Sequence, residues 1–164
     1  MTEHRETRRV PYTADLMFAV VADVEKYPQF LPWVVALRVL SRAQEDRREI
    51  LTAEMAVGYH ALRERYTSRV ILDAAARKVD VVQIAGPFRQ LENHWRFIPQ
   101  GENCDVEFSI TFAFKNRLLA AAAGKAFGKV MMRMSAAFEA RAKALIGFPS
   151  LHVASQRSAG NDTE

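Results

Sequence analysis

Between Asp105 and Phe114 the polarity of the chain alternates residue by residue. Val106, Phe108, Ile110, Phe112 and Phe114 fall on one parity, and Asp105, Glu107, Ser109 and Thr111 on the other. Successive side chains of an extended strand point to opposite faces, so this run predicts a strand with one dry face and one wet face. A helical period would scatter the same five apolar residues around an axis and leave no coherent face. The dry face must then be covered by apolar surface from elsewhere in the chain.

Several other runs share that period. Val35, Leu37 and Val39 oppose Arg38 and Arg42, and Glu49, Leu51, Ala53, Met55 and Val57 alternate with Arg48, Thr52 and Glu54. Leu62, Tyr66 and Val70 alternate with Arg63, Arg65 and Arg69. Val79, Val81 and Gln83 are followed, past a Gly86-Pro87 turn, by Leu91, Asn93, Trp95 and Phe97. The short spacings between runs predict hairpins and an antiparallel sheet. Glu3 to Val10, with charges on both parities, fits only an exposed edge strand.

Two segments have a helical period. Thr13 is placed to cap a short helix carrying Leu16, Phe18, Ala19 and Val20. Val24 to Tyr27 adds a further turn that should stop at Pro28, leaving Pro28 to Pro32 as an irregular apolar loop. Leu118 to Gly147 reads as one long alanine-rich helix ended by Gly147 and Pro149. Its dry stripe holds Phe127, Met131, Met134, Phe138, Ala142 and Leu145, with Lys125, Lys129, Ala136, Ala140 and Lys143 opposite. A sheet with one apolar face and a helix with one apolar stripe must cover each other, which gives an α+β fold with the helix in the concavity of a curved antiparallel sheet. Because the helix is rich in alanine, the space it spans is expected to hold a pocket with adaptable methionine walls.

Length sets the domain count. The 164 residues suit one domain, 1–149, followed by a Ser-, Gly- and Asn-containing tail, 150–164, expected to be disordered. No apolar run reaches the roughly 18 residues a membrane-spanning helix needs, and no apolar segment follows the Arg-containing N-terminus, so a cytoplasmic address is expected. Cys104 is the single cysteine, which excludes an internal disulfide and a multi-thiolate metal site. Histidines at 4, 60, 94 and 152 have no metal-ligand spacing. The net charge of +4 favours anionic partners without choosing among them. For acid/base chemistry the candidates are His60, Glu64 and His94, of which only Glu64 shares a parity with Leu62 and Tyr66.

Three segments carry a family resemblance: Tyr27-Pro28-Gln29-Phe30-Leu31-Pro32-Trp33, then Gly86-Pro87-Phe88-Arg89-Gln90-Leu91 through Trp95-Arg96-Phe97, then Ala137-Phe138-Glu139-Ala140-Arg141-Ala142. In order and spacing they resemble the coenzyme Q-binding branch of the START-like, polyketide cyclase/dehydrase superfamily, over about Glu3 to Gly147. Val34 stands where that branch often has cysteine, and Ile146 where it often has an aromatic residue. The resemblance implies a helix-grip fold and non-catalytic binding of ubiquinone or another hydrophobic small molecule in support of respiratory electron transfer. It brings no required cofactor and no catalytic residues.

The candidate cavity residues are Tyr27, Phe30, Leu31, Trp33, Leu62, Tyr66, Trp95, Phe97, Phe108, Phe112, Phe127, Met131, Met134, Phe138 and Arg141. Donors for a quinone head are sought among Tyr27, Tyr66, Asn93, Ser135 and Arg141. The loop from Tyr27 to Trp33 reads as a lid or as a site of transient contact with the inner membrane. Relatives in the same superfamily that act as toxins against ribosomal subunit association supply the alternative partner, the large ribosomal subunit. A cyclase-like enzyme is the second alternative. The oligomeric state is open.

Overall fold

A computed structural model describes residues 1–59 and 62–146, and of Leu62 the backbone alone. The predicted tail, the helix stop at Gly147 and Pro149, and His60 lie outside the described residues. The chain runs β1 (Thr2–Val10), α1 (Ala14–Ala22), a single 3-10 turn (Val24–Lys26), α2 (Tyr27–Phe30), β2 (Val34–Glu45), β3 (Arg48–Tyr59), β4 (Leu62–Asp73), β5 (Lys78–Ala85), β6 (Phe88–Gln100), β7 (Asn103–Phe114) and α3 (Arg117–Ile146).

The seven strands form one curved antiparallel sheet in the order β1-β7-β6-β5-β4-β3-β2. β2 to β7 is a meander of hairpins, as the short spacings require. The β2–β3 hairpin turns on Asp46 and Arg47, at φ 51° and 68°, the backbone handedness that matches the twist of the flanking strands. β1 closes the other edge on β7, where its charged residues do least harm. The chain crosses between the two edge strands through α1 and α2, and α1 packs on α3, β5, β6 and β7. The Thr13 hydroxyl accepts a hydrogen bond from the Leu16 amide at 3.2 Å, so the predicted cap is made.

The concave face carries the parity read from the sequence. Val106, Phe108, Ile110 and Phe112 are buried, and cross-strand pairing aligns them with Phe97, Trp95, Asn93 and Leu91. α3 lies against this face, burying Ala123, Ala126, Phe127, Val130, Met131, Phe138 and Ala142. Its start is capped by Asn116, whose side-chain oxygen accepts from the Leu119 amide at 2.7 Å.

Three expectations need correction. The pairing of β2 with β3 shifts between Val34 and Ala36, so a bulge turns Val34 inward and leaves Val35 two-thirds exposed; parity counted from Val35 therefore fails at the first residues of the strand. Pro28 does not stop a helix but stands in the first turn of α2, where a missing amide costs nothing, so Tyr27–Phe30 is helical rather than irregular. Leu145 leaves the dry stripe, at 54% exposure, although Ala142 three residues earlier is wholly buried.

Candidate ligand cavity

α3 and the concave face do not fill the space between them. A cavity of about 110 Å³ remains, lined by residues of α2, of the strands β2 to β7 and of α3. An engineered cavity of roughly 150 Å³ takes up benzene, so this space is on the scale of a single six-membered ring.

Of the fifteen candidate residues, ten line it: Tyr27, Leu31, Trp33, Tyr66, Trp95, Phe108, Phe127, Met131, Met134 and Phe138. Four do not appear in its wall. Phe30 packs edge-on against Tyr27 and Phe138. Phe97 stacks on Trp95 and meets Phe18 beyond it. Phe112 sits 4.4 Å from the Phe127 ring in a separate aromatic cluster. Arg141 lies over the Phe30 ring and donates to Gln29 at 3.2 Å, so it fastens α2 to α3 rather than facing the cavity. The Leu62 side chain lies outside the described atoms.

Sequence reasoning missed part of the wall. Val34 and Leu37 face inward on opposite sides of the bulge, which a fixed parity cannot show. Ala53, Met55, Ser68 and Val70 come from the facing strands β3 and β4, where Met55 pairs with Tyr66 and Ala53 with Ser68. The signal for Ser68 was available, since it shares its parity with Tyr66 and Val70.

The polar atoms at the wall are few and have distinct fates. The Tyr27 hydroxyl donates to the Val21 carbonyl. Asn93 donates to the Ser109 carbonyl at 2.9 Å and accepts from the Trp95 indole nitrogen at 3.0 Å. Burial raises the Tyr66 phenol well above the usual tyrosine value, and burial together with nearby Tyr66 and Asp23 does the same to Tyr27, so both are neutral at physiological pH. Ser68, only 6% exposed, has no hydrogen-bond partner for its hydroxyl. Ser135 is buried and also unpartnered, but it stands on α3 away from the cavity wall.

Among the described residues, no charged side chain and no histidine lines the cavity. Glu64 stands opposite Val57 on the concave face but outside the wall. His94 is out of phase with Trp95, as read from the sequence, and its Nδ1 lies 2.6 Å from Asp80 on the neighbouring strand. Among the described residues no group of three His, Cys, Asp or Glu is placed to hold a metal ion. Burial, with Asp105 beside it, pushes the Cys104 thiol up to about 11.

With this geometry fixed, comparison with known proteins decides the family. Residues 10–139 match the family described as polyketide cyclase / dehydrase and lipid transport. The chain belongs to that family. It is 36% identical over 149 residues to the ribosome association toxin RatA of Rickettsia prowazekii, covering 89% of this chain and 99% of that protein. It is 31% identical over 150 residues to the mitochondrial coenzyme Q-binding protein COQ10 homolog B of Xenopus laevis, covering 88% of this chain and 59% of that one. An 18 kDa protein of Caulobacter crescentus, solved in solution, superposes with a TM-score of 0.75 at 40% identity, covering 90% of this chain and all of the other. The START-like helix-grip architecture expected from the three segments is therefore the architecture of this family member.

Proposed function

We propose that this chain binds a hydrophobic molecule, ubiquinone or a similar lipid, between α3 and the sheet, and does no chemistry on it. The observation that carries this reading is a cavity walled by aromatic, methionine and aliphatic side chains with no charged group in the wall. An acid/base enzyme needs a titratable group within hydrogen-bond reach of its substrate, and none of the lining residues supplies one near neutral pH. Apolar burial gives affinity without chemistry, at roughly 25 cal/mol for each Å² removed from water. The likeness to a coenzyme Q-binding protein supports the choice of ubiquinone.

At about 110 Å³ the space is smaller than the roughly 150 Å³ that admits benzene, so a quinone ring enters only as the flexible Met55, Met131 and Met134 side chains give way, and the tail of such a ligand runs out of the cavity. An apolar tail outside the protein suits transient contact with the inner membrane, and exposed Leu118 and Met132 beside Lys125 and Lys129 on α3 suit the same contact. The test is organic extraction of the chain purified from its own host, followed by mass spectrometry. Co-purifying quinone is expected; lipid-free protein that also takes up no added quinone would overturn the reading.

A second reading has its own support. The resemblance to a ribosome association toxin spans nearly all of that protein, and Lys125, Lys129 and Arg133 are spaced by four on one exposed side of α3. Such a surface suits the phosphate backbone of the large ribosomal subunit. Co-sedimentation with large subunits that weakens steeply between low and moderate salt would establish it.

A further inference from the structure

Among the described residues Ser68 is the wall residue whose polar atom is fully buried and has no hydrogen-bond partner. Removing a hydroxyl from water without giving it a partner is unfavourable, and such groups are rare in folded interiors. The side chains best placed to satisfy it are committed elsewhere. Gln83, its cross-strand partner on β5, spends its amide on the backbone of Phe88, donating to the carbonyl at 2.7 Å and accepting from the amide at 3.2 Å. Asn93 is engaged by Ser109 and Trp95. Across on β3 the facing residue is Ala53, which offers neither a partner nor enough bulk to close the space. Two residues along the same face of β4 stands Tyr66, protonated by its burial and also in the wall.

We propose that Ser68, with Tyr66 beside it, is the polar end of the cavity, and that the ligand enters head first and places a carbonyl oxygen against the Ser68 hydroxyl. This rests on the reading that the cavity takes up a hydrophobic molecule, and it adds the class and the direction of that molecule. The ligand is an amphiphile with a neutral, carbonyl-bearing ring and an apolar tail. A charged head is disfavoured, because no opposite charge stands in the wall to compensate its desolvation. A pure hydrocarbon would fill the space but leave the hydroxyl as it is.

The test uses the full chain and two probes with the same ten-carbon tail, decyl-ubiquinone and decylbenzene, each displacing a fluorescent apolar dye. Wild type is expected to bind both, the quinone more tightly. Ser68→Ala should weaken the quinone about fivefold, the value of one ordinary hydrogen bond, and leave decylbenzene within about twofold. Without ligand the variant should melt no lower than wild type, since it loses an unpartnered hydroxyl. Tyr66→Phe should weaken the quinone selectively as well, and it keeps the proposal testable if Ser68→Ala does not fold. If wild type binds neither probe, the cavity reading itself fails. If wild type binds both while each variant treats the two probes alike, ligand binding stands and the head-first orientation is overturned.

Discussion

Two stretches of the same helix-sheet interface end differently. At one, Phe88, Phe112, Phe114 and Phe127 interlock, with ring centroids 4.4 to 6.2 Å apart, and the space between α3 and the sheet is filled. At the other, α3 faces Ala53, Met55 and Ser68, and the space stays open. The backbone scaffold is continuous across both, so side-chain volume decides which part is solid and which is hollow. A family with one fold can therefore vary its ligand by exchanging a few strand residues without disturbing the layers.

Substitutions can break that comparison or sharpen it. The largest effect is expected from Phe88→Ala, which empties the centre of the filled stretch and should cost about 3–5 kcal/mol in denaturant unfolding. Next come two enlargements of alanine. Ala142→Leu, at a wholly buried position outside the cavity wall, should cost about 1–3 kcal/mol by overpacking. Ala53→Leu, in the wall, should be near neutral in stability yet abolish quinone uptake in the dye-displacement assay. Equal destabilisation by both would mean that the space beside Ala53 is no emptier than the packed interior around Ala142.

A smaller effect concerns alkaline pH. Burial raises both wall tyrosines, so the folded state holds protons that the unfolded chain releases above its ordinary tyrosine value of about 10. Their contribution is complete below that pH and is lost as pH rises beyond it. Melting temperature measured from pH 8 to 11 should fall, and less steeply in Tyr66→Phe. The smallest expected change is Arg141→Ala, which removes a partly exposed cation over Phe30 and should cost about 0.5–1 kcal/mol, leaving the cavity wall itself intact.

The sheet, its antiparallel order and the dry stripe of α3 were legible because alternation and helical spacing respond directly to burial. The bulge at Val34 was not, because Val34 and Val35 are the same residue and nothing local says which turns inward. Pro28 was misread because proline ends one helix and begins another with the same chemistry. Of the ten candidate residues in the wall, seven lie on the two faces that alternation and helical spacing identify, and Tyr27, Leu31 and Trp33 come from the apolar segment around Pro28 and Pro32. Phe97 and Phe112 lie on those same faces yet away from the opening, and parity carries no information about position along the gap. Ser68 escaped notice because a small polar residue within an apolar parity reads as neutral until its partners are counted.

The pairing of β1 also bears on how the molecule is made. Thr2 sits beside Phe112 and Val10 beside Cys104, and Arg8 reaches Glu139 on α3 at 2.7 Å. During synthesis β1 thus has no neighbour until β7 has emerged, whereas each hairpin of the meander can zip as it appears. Until then β1 is bare and charge-studded, and charges on both of its faces keep it from pairing with a stranger before its own mate arrives.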